Sequence, residues 1–324
     1  MFKRIIVPLD GSKDAEQAIP VAARVARASD GTIVLVHVVL PPVEFGTYTE
    51  SRTVALKPTA FAKRLTEAAN YLKDIVIAHT SDLAGIDVVM KAVAGAASPT
   101  IFSVVKEEHG DLVVMCSRGE HGLKSWIFGS VAHEAVRHSP APVLVLSEKG
   151  MAPAPKEVIS TIRILVALDG SPLAETAIVP AAQLVSALAG PAQGALHLFR
   201  DVDIHSVPPK FRGASDLDAT IRDEARQEAE AYLKDVTDRV QGSLADYNLI
   251  LTSSVAVGVD AVDKIVEQAG QVGGYDLIAM TTHGRTGLQR LFMGSVAEKI
   301  LSSTKLPVLV VRPHDIEAQS QQET

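Results

Sequence analysis

The chain carries the same series of segments twice, in the same order. Residues 5–12, IIVPLDGS, recur at 164–171 as ILVALDGS. Residues 35–39, LVHVV, are matched to 195–199, ALHLF, which places His37 opposite His197 in the alignment of the two copies. Because matching blocks in one order arise when a folding unit is duplicated, the sequence predicts two similar domains.

The last matching block sets the domain boundaries. Residues 142–146, PVLVL, recur at 307–311 as PVLVV. Between the two copies lie Gly150, Pro153 and Pro155 among scattered charges, a composition typical of linkers. The sequence therefore predicts domains over 1–147 and 162–313, with a linker at 148–161 and a polar tail at 314–324.

Segments with strand and helix patterns alternate within each copy. In the first copy, apolar strand patterns cover 5–9, 32–39, 87–93, 112–116 and 143–146, and helical patterns cover 15–28, 60–78, 100–108 and 130–138. The second copy places strands near Ile164, Ala195, Leu249, Leu277 and Val308. This alternation predicts the α/β class, with two doubly wound parallel-sheet domains in tandem.

Composition narrows the class of protein further. The chain is 47% hydrophobic and has a net charge of −7, which excludes extended disorder and argues against nucleic-acid binding. One cysteine cannot form an internal disulfide. No uncharged apolar run is long enough to span a membrane, and the apolar start breaks at Asp10, too early for a signal peptide. We therefore expect a cytoplasmic protein that binds neither membrane nor nucleic acid.

Glycine-rich loops follow the fourth strand of each copy, at residues 119–130 and 284–295. In open parallel sheets, ligands bind beyond the carboxyl ends of the strands. Glycines let backbone N–H groups approach an anion, and the next helix offers its N-terminus. The loops lack the Gly-Lys-Ser/Thr of the Walker pattern. We therefore expect them to cradle an anion by another arrangement.

Three motifs together resemble one known family. They are the opening VALDGS, the loop THGRTGLQRLFMGSVAE at 282–298, and the closing PVLVV. Their joint occurrence in order, twice, is similar to the universal stress protein family. The resemblance covers nearly the whole chain and implies two flavodoxin-like (adenine nucleotide alpha-hydrolase-like) domains, which in many members bind ATP.

The resemblance also implies which residues bind ATP, with or without Mg²⁺. The loop glycines, the following serine and the next backbone amide would hold the phosphates, the aspartate would lie near the ribose and any Mg²⁺, and the second strand would meet the adenine edge. In the first unit the implied residues are Pro8, Asp10, Val38, Cys116, Gly119, Gly129, Ser130 and Val131. In the second they are Ala167, Asp169, Leu198, Thr281, Gly284, Arg285, Gly294, Ser295 and Val296.

The chain departs from the family's loop at its first glycine, where Cys116 and Thr281 stand. A side chain there would protrude where the ribose is expected. The two loops also differ from each other, because Arg285 in the second is replaced by Glu120 in the first. A carboxylate repels a polyphosphate, although Arg118 lies nearby. We therefore expect the second unit to bind ATP better.

Each candidate residue also has a structural interpretation. Asp10 and Asp169 would cap the following helices or close Asx turns, Ser130 and Ser295 would cap helices, and the loop glycines would serve tight turns. His37 and His197 are interpreted as hydrogen-bonded core residues, and Cys116 as a small packed residue. His133 and His138 are spaced so that a shared metal ion is not expected.

Three functions remain open from the sequence. The first is an ATP-binding regulatory module of the stress response, which binds ATP and at most hydrolyses it slowly. The second is a nucleotide-free protein-interaction module, favoured by the two missing glycines. The third is a nucleotide-using enzyme on the same fold, for which no catalytic residue is evident. Family members pair through their last strands, so the resemblance implies an intramolecular pseudo-dimer through 143–146 and 308–311, and leaves a homodimer open.

Overall fold

The chain divides into two compact units in a computed structural model. The structure describes residues 1–41, 58–117, 129–147, 161–203, 215–258, 261–272, 274–282 and 293–313. One unit holds the described residues from 2 to 141, and the other holds 142–147 together with the described residues from 161 onward. The predicted linker up to residue 160, most of both glycine-rich loops and the polar tail lie outside the described residues.

The first unit is a parallel sheet with the strand order β3-β2-β1-β4. Its elements follow the chain as β1 (Arg4–Leu9), α1 (Lys13–Glu16), α2 (Ala18–Ser29), β2 (Thr32–Val39), α3 (Pro58–Ala78), α4 (Thr80–Leu83), β3 (Asp87–Ala94), α5 (Ala97–Glu107), β4 (Leu112–Cys116) and α6 (Ser130–His138). The chain runs outward from β1 to β3 and then returns to the other side of β1. That reversal is the switch point of a doubly wound sheet.

The second unit has the strand order β5-β10-β9-β6-β7-β8. Its elements are β5 (Val143–Leu146), β6 (Arg163–Leu168), α7 (Pro172–Glu175), α8 (Ile178–Ala189), β7 (Gly194–Asp203), α9 (Ser215–Gln241), β8 (Leu249–Gly258), α10 (Ala261–Glu267) with a π-helical turn (Gln268–Val272), β9 (Leu277–Thr281), α11 (Ser295–Ser303) and β10 (Val308–Val311). Neighbouring strands are parallel except β5, which pairs antiparallel with β10. The expected pairing of the two final strands is therefore present.

Apolar runs explain why these strands form the core. Every residue of β4, β5, β9 and β10 is buried, as expected for parallel strands covered on both faces.

In each unit an aspartate accepts hydrogen bonds from backbone N–H groups at the start of a central strand, β1 or β6. Asp111 accepts hydrogen bonds from the N–H groups of Lys3 and Arg4 at 2.6 and 2.9 Å, and Asp276 accepts one from Arg163 at 2.8 Å. These contacts join the start of β1 to the start of β4, and the start of β6 to the start of β9.

The helix expected over 15–28 is interrupted. Gln17 separates α1 from α2, and its N–H donates to Asp14 rather than continuing one regular helix. Ser12 caps α1, because its hydroxyl oxygen accepts from the Ala15 N–H at 3.1 Å. The second unit repeats this arrangement, with Ser171 accepting from Ala174. The short first helix therefore begins immediately after the Asp-Gly-Ser turn.

Strand pairing corrects the alignment of the second strands. Arg4 pairs with Thr32 in the first unit, and the equivalent Arg163 pairs with Ala195 in the second. The last residues of β1 and β6 pair with His37 and Arg200 respectively. The structural counterpart of His37 is therefore Arg200, and the alignment of His37 with His197 is wrong.

One helical segment, Pro172–Ala189, is apolar and long enough to cross a membrane by length and composition, with 56% of it buried in the structure. It comprises α7 and α8, and α8 packs on β6 and β7. Core helices meet the same criteria.

Candidate functional site

The candidate site of each unit lies at the switch point of its sheet. In the first unit β1 ends before Asp10 and β4 ends at Cys116, on adjacent parallel strands. In the second unit the same edge is formed by Asp169 after β6 and Thr281 at the end of β9. Pro8 and Ala167 lie just before the last residues of β1 and β6. Each sheet therefore brings two features to one edge. The first is the Asp-Gly-Ser turn, here called the aspartate turn, and the second is the residue at which the glycine-rich loop begins.

The aspartate turns are the same in both units. The Oδ1 atom of Asp10 accepts hydrogen bonds from the N–H and hydroxyl of Ser12, at 3.0 and 2.6 Å. Asp169 accepts the same pair of bonds from Ser171, at 2.9 and 2.6 Å. These are Asx turns, so that structural interpretation of the two aspartates is correct, whereas the helices are capped by Ser12 and Ser171 rather than by the aspartates. A ligand role for either carboxylate stays a prediction.

The bases of the two glycine-rich loops are closed by one backbone hydrogen bond each. The Gly129 N–H donates to the Ser117 carbonyl at 2.8 Å, and the Gly294 N–H donates to the Thr282 carbonyl at 2.9 Å. Of the loop residues predicted to bind ATP, Gly119, Gly284 and Arg285 lie outside the described residues, as do Arg118 and Glu120. The described ends show that both loops return to their starting strand at equivalent positions.

The helices that follow the loops begin at glycine. Gly129 and Gly294 are the N-caps of α6 and α11, with extended backbone, and no described side chain caps either helix. Ser130 and Ser295 are the first helical residues and are exposed, so their interpretation as helix caps is wrong. Val131 and Val296 follow in the first turn. Uncapped N–H groups at a helix start favour an anion.

The residues in place of the first loop glycine are buried. The Cys116 side chain is 7% exposed, and its Sγ donates to the Asp14 carbonyl at 2.7 Å. Burial, with the charges of Asp14 and Asp10, raises the pKa of the Cys116 thiol to about 12. Thr281 is similarly buried, at 8% exposed. Cys116 is therefore a packed thiol, as the sequence predicts.

The two positions predicted to meet adenine are not structurally equivalent. Val38 lies beyond the last residue of β2 that pairs with β1, so one edge of its backbone faces the switch point. Leu198 lies inside β7, is fully buried, and is paired on one side with Val166 and on the other with Ser253. The register makes Asp201 the counterpart of Val38. The role of Leu198 stays a prediction, while Asp201 is the residue that the sequence alignment missed.

A charged cluster lies behind the aspartate turn of the second unit. Arg200, at 6% exposed, places its guanidinium carbon 4.7 Å from the centre of the Tyr232 ring. Tyr232 donates its hydroxyl to Glu175 at 3.1 Å, and Glu175 also accepts from Arg239 at 3.0 Å. Burial, followed by the charge of Glu175, raises the pKa of Tyr232. No motif in the sequence marked Arg200 or Tyr232.

The first unit builds the same cluster from different residues. The ring of His37 packs on Tyr71 with centroids 5.1 Å apart, and Glu16 lies near His79, with 3.9 Å between Oε2 and Nε2. Burial, followed by the charges of Glu16 and Asp10, raises the pKa of Tyr71 to about 12. His37 therefore occupies the place that Arg200 occupies in the second unit.

The interpretation of the two strand histidines as hydrogen-bonded core residues holds for one of them. His197 contacts the hydroxyls of Thr252 and Ser254 through its two ring nitrogens, each at 2.8 Å. Burial, followed by the charge of Arg163, lowers the pKa of His197. In contrast, the buried Nδ1 of His37 makes no hydrogen bond in the described part of the chain.

The described residues contain no group of three or more histidine, cysteine, aspartate or glutamate side chains that could hold a metal ion.

Two glycines of the aspartate turns provide a matched test of packing at the cluster. Gly11 and Gly170 have φ values of +94° and +89°. A Cβ on Gly11 would meet nothing within 4 Å, whereas a Cβ on Gly170 would lie 2.9 Å from the guanidinium carbon of Arg200. We expect Gly11→Ala to lower the free energy of unfolding by about 1 kcal/mol, from backbone strain alone.

Gly170→Ala is expected to lower the free energy of unfolding by about 2–3 kcal/mol. The loss is larger because the buried guanidinium of Arg200 must also move away from the Tyr232 ring. Urea unfolding followed by circular dichroism measures both losses. In an Arg200→Ala background the Gly170→Ala loss should fall to the Gly11→Ala value. Equal losses for the two single variants would show that Arg200 is not packed against this turn.

Comparison with known proteins agrees with this architecture. The model of the universal stress protein family matches residues 1–147 and 162–312, and so covers both repeats. The chain belongs to the universal stress protein family. The resemblance seen in the motifs is thereby confirmed, as is the prediction of two tandem domains of the parallel-sheet α/β class.

Relatives of similar length share the tandem organisation. A universal stress protein of Mycobacterium tuberculosis is 27% identical over 321 residues, covering 95% of this chain and 96% of its own. Another, from Mycolicibacterium smegmatis, is 25% identical over 310 residues, covering 95% and 97%. The crystal structure of a universal stress protein from Archaeoglobus fulgidus is 17% identical, with a TM-score of 0.63 over 96% of this chain and 98% of that one. This last likeness shows the universal stress protein fold.

Proposed function

We propose that this universal stress protein is a cytoplasmic ATP-binding module of the stress response, and that its second unit is the better nucleotide site. The observation that carries the proposal is the start of α6 and α11. Each helix begins at a glycine with no capping side chain in the described residues, at the switch point of a parallel sheet. A phosphate group would satisfy N–H donors that no described side chain caps.

The residues at this edge of each sheet are compatible with a bound nucleoside triphosphate. The exposed hydroxyls of Ser130 and Ser295 lie at the first helical position, next to the uncapped N–H groups. Gly129 and Gly294 present no side chain in front of these donors. Asp10 and Asp169 lie after the neighbouring strand, where the family resemblance puts the ribose and any Mg²⁺. Bound ATP would supply the negative charge that the helix starts favour.

We propose binding rather than turnover. The sulfur at the crevice edge of the first unit is protonated and hydrogen-bonded to a carbonyl, so it is a poor nucleophile. The Oδ1 atoms of Asp10 and Asp169 are each occupied by two hydrogen bonds from serine. Such a site suits a protein that changes its conformation or its binding partner when it binds ATP. Any hydrolysis of ATP would be slow.

A nucleotide-free interaction module is the second candidate. The specific observation in its favour is the burial of the Cys116 and Thr281 side chains where the family's loop has its first glycine. On this proposal, side chains at these positions would narrow the space available to the ribose. Under this proposal the chain would keep the fold and the strand pairing while it bound a protein partner alone.

Quantifying nucleotide in the purified protein separates the candidates. One sample is denatured and the released nucleotide is measured per chain, while a second, native sample is titrated with Mg-ATP by calorimetry. We expect release or uptake of about one ATP per chain, from occupancy of the better site. Two tight equivalent sites would contradict the ranking of the units. No released nucleotide together with a flat titration would favour the interaction module.

A further inference from the structure

The clusters behind the two aspartate turns share a framework but differ in permanent charge. Tyr71 and Tyr232 lie on the helices after the second strand, and each lies near the glutamate that ends the short first helix. Against these tyrosines the first unit packs His37 and the second packs Arg200. Arginine is charged at every physiological pH, whereas histidine is not a permanent cation.

Arg200 is held at one place by three contacts. It is the last residue of β7 that pairs with β6, opposite Leu168. Its guanidinium stacks on Tyr232, and it lies so close to the Gly170 backbone that a Cβ there would meet it at 2.9 Å. Because the side chain is 6% exposed, its charge lies in a poorly solvated place directly beside the turn that carries Asp169. A charge in such a place acts more strongly than one in water.

A further cation pairs with the glutamate of each cluster, and this cation does not distinguish the units. Glu175 is paired with Arg239, with 3.0 Å between Oε2 and the guanidinium, while Glu16 is paired with Lys13 at 2.8 Å and lies 3.9 Å from His79. The Arg239 side chain is 52% exposed and the Lys13 side chain is almost fully exposed, so water screens both charges. The difference between the units therefore lies in Arg200, a buried permanent cation beside the turn that carries Asp169, whose register counterpart in the first unit is His37.

We propose that Arg200 is the positioning residue that makes the crevice of the second unit select anionic ligands over neutral ones. Its charge offsets the carboxylate of Asp169, which would otherwise repel a polyphosphate at the same edge of the sheet. The equivalent position of the first unit holds a histidine rather than an arginine, so this permanent charge beside the turn belongs to the second unit alone. This inference rests on the proposed nucleotide function, and names the residue that separates the two sites.

The test compares ATP with adenosine, which lacks the phosphates, in full-length chains. The first site is blocked by Gly129→Asp, so that calorimetry reports the second. Arg200→Gln should weaken ATP binding by about tenfold while changing adenosine binding by less than about twofold. Arg200→Lys, which keeps the charge and loses the planar stack, should recover most of the ATP affinity.

Each outcome of this test decides between the proposals. Equal losses for ATP and adenosine would show a purely structural role for Arg200 and overturn the inference, as would unchanged ATP binding in Arg200→Gln. Failure of the Gly129→Asp parent to bind either ligand would instead overturn the proposed function.

A reciprocal variant keeps the inference testable if Arg200→Gln does not fold. His37→Arg, in a chain whose second site is blocked by Gly294→Asp, should strengthen ATP binding at the first site by about three- to tenfold and leave adenosine unchanged. No gain for ATP in a folded His37→Arg chain would also count against the inference.

Discussion

Replacing Gly294 with aspartate will weaken ATP binding at the second unit by about a hundredfold or more. Gly294 is the N-cap of α11, and its φ of −60° and ψ of 144° suit any residue. An aspartate carboxylate at this position would itself accept hydrogen bonds from the N–H groups in the first turn of α11, and it would repel the phosphates. Loss of two charge-assisted hydrogen bonds at about 1.5–3 kcal/mol each gives this magnitude. Calorimetric titration with Mg-ATP measures it.

The same variant separates binding from folding. Aspartate is at least as good an N-cap as glycine, so the free energy of unfolding should stay the same or rise by a few tenths of a kcal/mol. Gly129→Asp is the matched control, because Gly129 caps α6 with nearly the same backbone angles. It should remove only the weaker site. Unimpaired ATP binding in the chain that carries both substitutions would place the nucleotide elsewhere.

Cys116 is expected to react with a disulfide reagent at pH 8 about a thousandfold more slowly in the folded chain than in urea. Its pKa of about 12 leaves roughly one thiol in ten thousand as thiolate at this pH, against about a quarter for an exposed cysteine. Because the chain has one cysteine, the absorbance of the released reagent reports this thiol alone.

The raised pKa of Cys116 also predicts the direction of a pH effect. The folded state holds the proton more tightly than the unfolded state, so this thiol's contribution to stability is complete below the ordinary thiol pKa of about 8.5 and is lost as pH rises towards 12. Cys116→Ser removes the titration and serves as the control. Reaction of the folded chain within about tenfold of the unfolded rate would contradict the burial of this thiol.

Three strands and one helix were predicted to the residue. The predicted bounds 32–39, 112–116, 143–146 and 130–138 agree with those of β2, β4, β5 and α6. Their limits are set locally, by turn residues and by the switch from apolar to polar composition. The break at Gln17 between α1 and α2 was not predicted. An alanine-rich segment shows the same spacing of apolar residues whether it forms one helix or two.

The alignment of β2 with β7 shows where a repeated pattern misleads. Each strand carries an apolar run around one histidine, so the letters match best when His37 is aligned with His197. Hydrogen bonding to β1 and β6 decides the register instead, and it aligns His37 with Arg200. The counterpart of Val38 consequently changes from Leu198 to Asp201. Apolar strand composition carries no information on which residue faces which across the sheet.

The sequence by itself determined the duplication, the α/β class, the family and the two edges that carry the aspartate turn and the glycine-rich loop. These properties follow from local pattern and from motifs that recur in a fixed order. Only the tertiary structure decided that the helices start at Gly129 and Gly294 with no cap from a described side chain, and that Arg200 and His37 occupy one position behind the turns. The first residue of a helix depends on the backbone conformation of the turn before it, and a charge cluster depends on distances between residues far apart in the chain. The order of amino acids displays neither.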